Sequence, residues 1–302
     1  MRLGFGLPVS GTWATPDNMR HIAVRAEQLG YDSVWGFQRL LHPVDEEWGP
    51  VYHGVVDPVT ALAYVAGQTS RIRLGIAVVN LPFYTPIVLS KALTTLDLVS
   101  GGRLDVGLGL GWSPQEFAAV GVDSGRRGAR AEEFVACLKA VWTQDAPELD
   151  GEFYELPRAR VEPKTVQRPH PPLLMGGAAE AALRRIGRIA DGWVSSSRAD
   201  LTAIGHSVDV VKGAAIEAGR DPQRLRFVVR GTIGLDAPVT GDRRPLQGNA
   251  EQIRADLAML AEQGVTEVFL DCNWDPRTVS DGIDPVAALE NAEKVLTTFA
   301  PG

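Results

Sequence analysis

The sequence predicts an α/β protein folded as a (β/α)8 TIM barrel, and three observations support this fold class. The chain has 302 residues, its short apolar runs alternate with longer helical patterns, and about eight such pairs occur along it. Apolar strands covered by helices on both faces are typical of a parallel sheet. Eight β–α units in a chain of this length favour a closed barrel over an open, doubly wound sheet, which is the structural alternative.

The first half of the chain supplies four of these units. Thr15-Pro16-Asp17 and Asp57-Pro58 each resemble a helix start, with a capping side chain placed before a proline in the first turn. Apolar runs predict strands at residues 3–7, 31–35, 71–79 and 104–110, and periodic segments predict helices at 16–29, from 58 onward, at 86–99 and at 130–142.

The second half repeats the pattern. Asn249 with Gln252 resembles a capping box at the start of a helix. Strands are expected at 172–175, 192–195, 225–233 and 265–270, and helices at 178–189, 201–218, 253–263 and 285–298. Two segments do not follow the alternation of strands and helices, one near 145–172 and one near 238–248. An extra hairpin is expected in the first, at 151–156. Residues 1–302 are therefore expected to form one barrel domain with two insertions.

Composition and charge disfavour several classes of partner. The chain has 37 acidic and 30 basic residues, a net charge of −7, whereas nucleic-acid binding normally needs a basic surface. Cys137 and Cys272 have no metal-ligand spacing and form no disulfide framework, which fits a reducing compartment. No secretory signal is evident at the start, and no apolar stretch approaches the roughly 20 residues that span a bilayer. We expect a cytoplasmic protein that acts on a small molecule and binds neither nucleic acid nor membrane.

The active site of such a barrel lies at the carboxyl ends of its strands. Gly107, Gly109 and Gly111 alternate there, so a flat ring could lie against the backbone, although tight barrel packing explains the pattern equally well. Gly176-Gly177 stands between a strand and a helix, where free amides favour a phosphate; a plain glycine turn is the alternative. Aromatic residues on the loops either line an apolar pocket or belong to the core: Trp13, Phe37, Trp48, Tyr52, Phe83 and Trp112.

Several motifs then occur in one order and spacing. They are AEQLGYDSVW at 26–35, LGIAVVN at 74–80, LDLVSGGRLDVGLGLGW at 96–112, RRGAR at 126–130, PHPPLLMGG at 169–177 and ADGW at 190–193. By the order and spacing of these motifs, the chain resembles the luciferase-like monooxygenase superfamily and, within it, the oxidoreductases that depend on the deazaflavin F420. The likeness extends to about residue 200 and weakens beyond it.

The resemblance implies a function and a set of cofactor contacts. The function is hydride transfer between reduced F420 and a small organic substrate; the alternatives are an FMN-dependent monooxygenase that uses O2, and a flavin-binding protein without turnover. The family also implies a homodimer and a non-prolyl cis peptide at Ala77-Val78 beneath one face of the ring. The implied cofactor contacts are Gln38, Ala77, Val78, Asn80, Leu110, Gly111, Gln115, Gly176, Gly177 and Ala178.

One departure from the family pattern affects the chemistry. Many F420-dependent members carry Asp-His where this chain has Gln38-Arg39, and an arginine stays protonated and cannot shuttle protons. Arg39 is therefore expected to stabilise negative charge, and His42 to supply a proton if its loop is helical. The basic cluster Arg126, Arg127 and Arg130 favours the acidic tail of F420 over FMN.

Overall fold

Eight parallel strands close into a barrel in the computed structural model, which describes residues 1–301. Each strand pairs with the next along the chain, and the last pairs with the first, so the open-sheet alternative is excluded. The strands are β1 Arg2–Gly6, β2 Ser33–Gly36, β3 Arg73–Ile76, β4 Leu104–Gly109, β5 Leu173–Gly176, β6 Gly192–Val194, β7 Arg226–Thr232 and β8 Glu267–Asp271.

Four of the helices that cover the outside of the barrel begin at the caps that the sequence predicts. Thr15, Asp57 and Asp284 each accept a backbone N–H, and a proline follows each of them, which fixes the first helical φ. The capping box of Asn249 and Gln252 is present. The helices are α1 Pro16–Gln28, α2 Pro58–Ala66, α3 Pro86–Val99, α4 Pro114–Ala119, α5 Arg127–Thr143, α6 Glu180–Ile189, α7 Ile204–Glu217, α8 Ala250–Glu262, α9 Pro276–Val279 and α10 Pro285–Thr298.

The structure corrects several boundaries. A cis peptide at Ala77–Val78 interrupts the predicted third strand, and pairing with β4 resumes at Val79–Asn80. The helix predicted from residue 178 begins at Glu180. The helices α4 and α9 were not predicted, because they are too short to show a periodic pattern.

The two insertions carry small structures of their own. Leu149–Asp150 pairs antiparallel with Glu155–Leu156, which confirms the predicted hairpin. In the second insertion, Gln247–Gly248 pairs with Gly234–Leu235, just beyond β7. Both cysteines are buried and free. Within residues 1–301, every helix is too short or too polar to cross a bilayer.

A buried ionic layer fills the barrel near the amino-terminal ends of the strands. The carboxylate of Asp105 accepts from Arg73 (Nε–Oδ2 2.9 Å) and from Arg226 (Nη1–Oδ1 2.6 Å). Arg226 also donates to Glu267 (2.8 Å), whose other oxygen accepts from Ser33 (2.6 Å). Both carboxylates are inaccessible to solvent. This layer closes the barrel at the end opposite the predicted site.

An apolar layer lies above the ionic one. The rings of Trp35 and Phe269 stack with centroids 5.2 Å apart, and Leu174, Val194 and Val228 pack around them, all buried. The barrel interior is thus filled up to the carboxyl ends of the strands, where the side chains become polar again.

Candidate active site

A cavity of about 300 Å3 opens at the carboxyl ends of the barrel strands. It collects most of the predicted cofactor residues, while His42, Gln115 and Ala178 are not among the residues that line it. The lining residues are Phe37, Gln38, Arg39, Tyr52, Ala77, Val78, Asn80, Gly109, Leu110, Gly111, Trp112, Gly176, Gly177, Val194, Ser195, Ser196, Ser197, Arg230 and Trp274.

The non-prolyl cis peptide lies where the resemblance implied, at Ala77–Val78, and forms one wall of the cavity. Neighbouring backbone fixes it: Ala77 N donates to Gly36 O (2.7 Å), and Gln38 N donates to Val78 O (3.3 Å). The side chain of Arg230 donates to the Ala77 carbonyl from the other side. The wall is therefore tied to β2 and β7 as well as to its own strand.

The alternating glycines of β4 make room for this wall, which agrees with the tight-packing alternative for their role. A Cβ on Gly107 would collide with the carbonyl of Ile76, and one on Gly109 would lie 2.8 Å from Asn80 Oδ1 and overlap Val78. Gly111 lies beyond the strand with φ 72°, a conformation that favours glycine. Gly107 and Gly109 thus accommodate the cis segment, which lines the cavity.

Gln38 and Asn80 join three loops at the cavity. Gln38 Oε1 accepts from Asn80 N (2.9 Å), and Gln38 Nε2 donates to the Tyr84 hydroxyl (2.6 Å). Asn80 Oδ1 in turn accepts from Gly111 N (3.0 Å). Both side chains line the cavity and hold the loops after β2, β3 and β4 in register.

Arg39 lies at the cavity with its charge compensated. Its guanidinium forms two hydrogen bonds with the fully buried Glu116 (Nε–Oε1 2.9 Å, Nη2–Oε2 2.5 Å). Three aromatic rings surround the same guanidinium, with centroids 4.7 Å away at Trp112, 5.4 Å at Trp48 and 5.5 Å at Tyr52. The role of Arg39 in stabilising negative charge stays a prediction, and Glu116 weakens the physical case for it.

His42 does not meet the condition set for its role, because residues 37–43 form no helix. Its Nε2 lies 3.2 Å from Nε2 of His53, and His53 Nδ1 lies 3.1 Å from Oδ1 of Asp281 at the surface. These contacts therefore connect His42, through His53, to the exposed Asp281. Gln115 likewise makes a contact outside the lining, since its side-chain oxygen accepts from Ser113 (3.0 Å).

Arg230 is a functional candidate that was not predicted from the sequence. It lies on β7, is 6% exposed, and pairs with Asp271 (Nη1–Oδ2 2.9 Å). Its guanidinium lies 4.5 Å from the ring centroid of Trp274 and 5.0 Å from that of Phe37. Burial lowers the pKa of Arg230 and raises the pKa of Asp271, against the attraction between them. The available signal was the period of two in RFVVRGT, which places Arg226, Val228 and Arg230 on one face.

The glycine corner after β5 offers unpaired backbone amides. Gly176 and Gly177 line the cavity, and α6 begins three residues later with Ala179 as its N-cap, which has no side chain to accept an N–H. Ser195, Ser196 and Ser197 line the cavity beside this corner. Free amides at the positive end of a helix dipole suit an anionic group such as a phosphate.

The basic cluster after α4 is engaged in contacts within the chain. Arg126 pairs with Glu152, Arg127 donates to the Gly111 carbonyl (2.6 Å), and Arg130 donates to the Asp123 carbonyl (2.8 Å). The contact of Arg127 with Gly111 ties this cluster to the cavity wall.

Comparison with known proteins places these features in a family. The model of a family described as luciferase-like monooxygenase matches residues 4–240. An uncharacterized protein of Mycobacterium tuberculosis is 37% identical over 72% of this chain and 70% of its own length. The F420-dependent glucose-6-phosphate dehydrogenase of Amycolatopsis mediterranei is 32% identical over 65% of this chain and 58% of its own. The FMNH2-dependent dimethylsulfone monooxygenase of Pseudomonas putida is 30% identical over 60% and 54%.

Two solved structures overlap almost the whole chain. The monooxygenase RslO1 from Streptomyces bottropensis has a TM-score of 0.81 at 23% identity and covers 100% of this chain and 99% of its own. The coenzyme F420-dependent tetrahydromethanopterin reductase from Methanopyrus kandleri has a TM-score of 0.73 at 17% identity and covers 99% and 98%. At these identities the overlaps establish the shared fold alone.

Proposed function

Because the chain belongs to the luciferase-like monooxygenase family, we propose that it is an F420-dependent oxidoreductase that transfers a hydride between the deazaflavin and a small organic substrate. The observation that carries the proposal is the make-up of the 300 Å3 cavity, where the cis segment Ala77–Val78, the corner Gly176–Gly177 and Arg230 meet. The F420-dependent relative from Amycolatopsis mediterranei supports the choice of cofactor.

The residues present fit such a cofactor. The uncapped amides before α6 would hold its phosphate, and the backbone of Ala77–Val78 would support its ring. When bound, the deazaflavin supplies or accepts the hydride. Arg230 provides a buried guanidinium at the same cavity, where Asp271 holds it by one nitrogen, and we propose that its remaining N–H groups stabilise negative charge that develops during the reaction.

We expect proton transfer in this cavity to use groups other than a histidine. Among the described residues that line the cavity, none is a histidine, aspartate, glutamate, lysine or cysteine. Tyr52 and the serines Ser195, Ser196 and Ser197 supply the hydroxyl groups there. Hydroxyl groups relay protons without holding charge near neutral pH, so we propose that they pass a proton to the substrate when an activated C=C, C=N or C=O bond is reduced and take one back in the reverse direction.

A second candidate is an FMN-dependent monooxygenase that uses reduced flavin and O2. The observation that favours it is the relative from Pseudomonas putida, whose name specifies FMNH2. FMN and F420 share the ring shape and the phosphate region, so the same residues would hold either cofactor.

Titration with each cofactor separates the candidates. We expect F420 to bind to the purified protein more tightly than FMN, read by the change in its absorption and fluorescence. Turnover of activated alkenes, imines and ketones with reduced F420 would then be measured under exclusion of O2. Tighter binding of FMN, with O2 uptake in its reduced form, would establish the second candidate. Binding without any turnover would favour a non-catalytic flavin-binding protein, and failure of both cofactors to bind would refute the proposal.

A single substitution tests the phosphate corner. Ala178 is exposed, directly after Gly177, so Ala178→Asp adds a negative charge there without disturbing the core. We expect repulsion between this carboxylate and the cofactor phosphate to lower cofactor affinity about tenfold, which corresponds to about 1.4 kcal/mol. Ala178→Asn is the matched neutral control and should retain the affinity. Equal affinities for the two variants would place the phosphate elsewhere.

A further inference from the structure

A second, larger cavity of about 930 Å3 adjoins the proposed cofactor site. The two cavities share Tyr52, Ser197, Arg230 and Trp274, so a molecule in the larger one reaches the wall of the smaller one. Since the smaller cavity is assigned to the cofactor, an assignment of the larger cavity to the substrate rests on the proposed function. The chemistry of the larger cavity then describes the substrate.

The charge in this cavity is opposite to that of the chain as a whole. The chain has 37 acidic and 30 basic residues, yet Arg198, Arg230 and Arg244 line the cavity with Asp200 as the acidic residue among them. Oδ1 of Asp200 accepts from Thr202 N (2.9 Å) and from Thr202 Oγ1 (2.7 Å), and the three arginines outnumber this single carboxylate. The cavity therefore carries an excess of positive charge.

Two of the three arginines have uncompensated side chains. Arg230 pairs with Asp271, but the guanidinium groups of Arg198 and Arg244 make no hydrogen bond and no ion pair with any residue in 1–301. Arginine forms two parallel hydrogen bonds with a carboxylate or phosphate, and a pair of free guanidinium groups at one cavity is suited to an anion.

The backbone that carries Arg244 is held in place, although the side chain is free. On one side, Arg243 pairs with Asp256 (Nη2–Oδ1 2.8 Å), and Leu246 N donates to the same carboxylate (2.7 Å). On the other side, Gln247 donates to the Thr232 carbonyl at the end of β7 (2.9 Å). The insertion near 238–248, for which no role was predicted, thus positions an arginine over the cavity.

The other walls of the cavity are apolar and partly aromatic, with their rings packed edge to face. Trp48 and Tyr52 lie with ring centroids 6.1 Å apart, and Tyr52 and Trp274 with centroids 6.4 Å apart. Further apolar contacts come from Pro50, Val51, Leu201, Pro245, Pro276 and Val279. Such walls favour a hydrophobic body, which rings contact by face and by edge, over a sugar or another strongly hydrated molecule.

We propose that this cavity binds the substrate, and that the substrate is an organic acid whose apolar body packs among Trp48, Tyr52 and Trp274 while its carboxylate or phosphate binds Arg198 and Arg244. The acidic tail of F420 has the same anionic chemistry, so the test must separate a substrate from the cofactor tail.

The test compares an acid with its neutral amide. Isothermal titration calorimetry would measure 2-naphthoate, 2-naphthyl phosphate and 2-naphthamide binding to the protein loaded with its cofactor, and to the free protein. We expect the two acids to bind at least about tenfold more tightly than the amide. In the double variant Arg198→Ala/Arg244→Ala, this preference should disappear while amide binding is retained. The matched control is the double variant Arg158→Ala/Arg160→Ala, which removes the same charge. Both of these arginines are exposed and have no side-chain partner in residues 1–301.

The outcomes distinguish a substrate acid from the acidic tail of F420. Equal binding of acid and amide to the unaltered protein would overturn the inference. So would a double variant that loses F420 affinity but binds 2-naphthoate normally, because the arginines would then serve the cofactor tail. If neither F420 nor FMN binds, the proposed function fails separately, and acid-selective binding to the free protein still tests the role of the two arginines.

Discussion

At the scale of single residues, Arg230 connects the two cavities to the barrel interior. It is buried at the junction of the two cavities, pairs with Asp271 and donates to the carbonyl of Ala77. A buried pair of this kind gains little over apolar packing, but removal of one partner leaves the other charge without compensation. Because the pair adds little stability, we expect Arg230 to have a chemical role at the cavity.

The structural and chemical roles of Arg230 can be separated experimentally. We expect Arg230→Met to lower the free energy of unfolding by about 3–5 kcal/mol and to lower cofactor-dependent turnover by about a hundredfold. The double variant Arg230→Met/Asp271→Asn should recover most of the stability but none of the turnover. Urea denaturation and steady-state kinetics measure the two effects. Recovery of turnover in the double variant would reduce Arg230 to a structural residue.

Many residues of the site were predictable from the sequence, but their arrangement was not. Gln38, Asn80 and Gly111 were placed from the resemblance, and all three line the cavity. The contact of Arg39 with Glu116 joins residues 77 positions apart, and such pairing depends on how the loops pack above the barrel. The same holds for Trp274, which packs against Arg230 from a 3-10 turn after β8.

At the scale of elements, the strands and helices were predictable because local chemistry specifies them. Thr15, Asp57 and Asp284 mark helix starts by their own hydrogen bonds, and the apolar runs mark the strands. The boundaries that failed depend on distant contacts. The early end of β3 coincides with the cis segment, which Gly107 and Gly109 of the next strand accommodate.

The ionic layer across the strands gives a prediction about acid. Burial alone would raise the pKa of Asp105, but Arg73 and Arg226 outweigh it and the pKa is lowered from 3.8. Because the folded-state pKa is depressed, the carboxylate stabilises the fold above pH 3.8 and loses this effect as the pH falls through the lower value. The free energy of unfolding of Asp105→Asn should therefore be about 3–5 kcal/mol lower than that of the unaltered protein near neutral pH. In acid, this difference should be smaller. Urea titrations at about pH 7 and about pH 3 measure it, and a difference independent of pH would contradict it.

At the scale of the whole molecule, the outer surface bears on the expected homodimer. Val88 and Val99 are 61% and 57% exposed and lie eleven residues apart, close to three helical turns, on one face of α3. Tyr64 on the neighbouring α2 is 39% exposed. Exposed apolar side chains on adjacent helices are a typical subunit contact.

We expect Val88→Lys/Val99→Lys to convert the protein from a dimer to a monomer in light-scattering measurements coupled to size exclusion. The physical reason is that two charges would have to be buried at a symmetric contact. Val286→Lys, at another exposed valine, is the control and should leave the mass unchanged. A monomeric unaltered protein would refute the expectation at the outset.

The filled interior of the barrel separates the residues that close the barrel from the loop residues that line the cavities. The ionic layer of Asp105, Arg226 and Glu267 lies at one end, the loops that bear Arg198 and Arg244 lie at the other, and the stacked pair Trp35 and Phe269 stands between them. Changes at the loop end need not disturb the closure of the barrel. Substrate preference can thus diverge over evolution, or be altered by a mutant library confined to the loops, while the determinants of folding stay untouched.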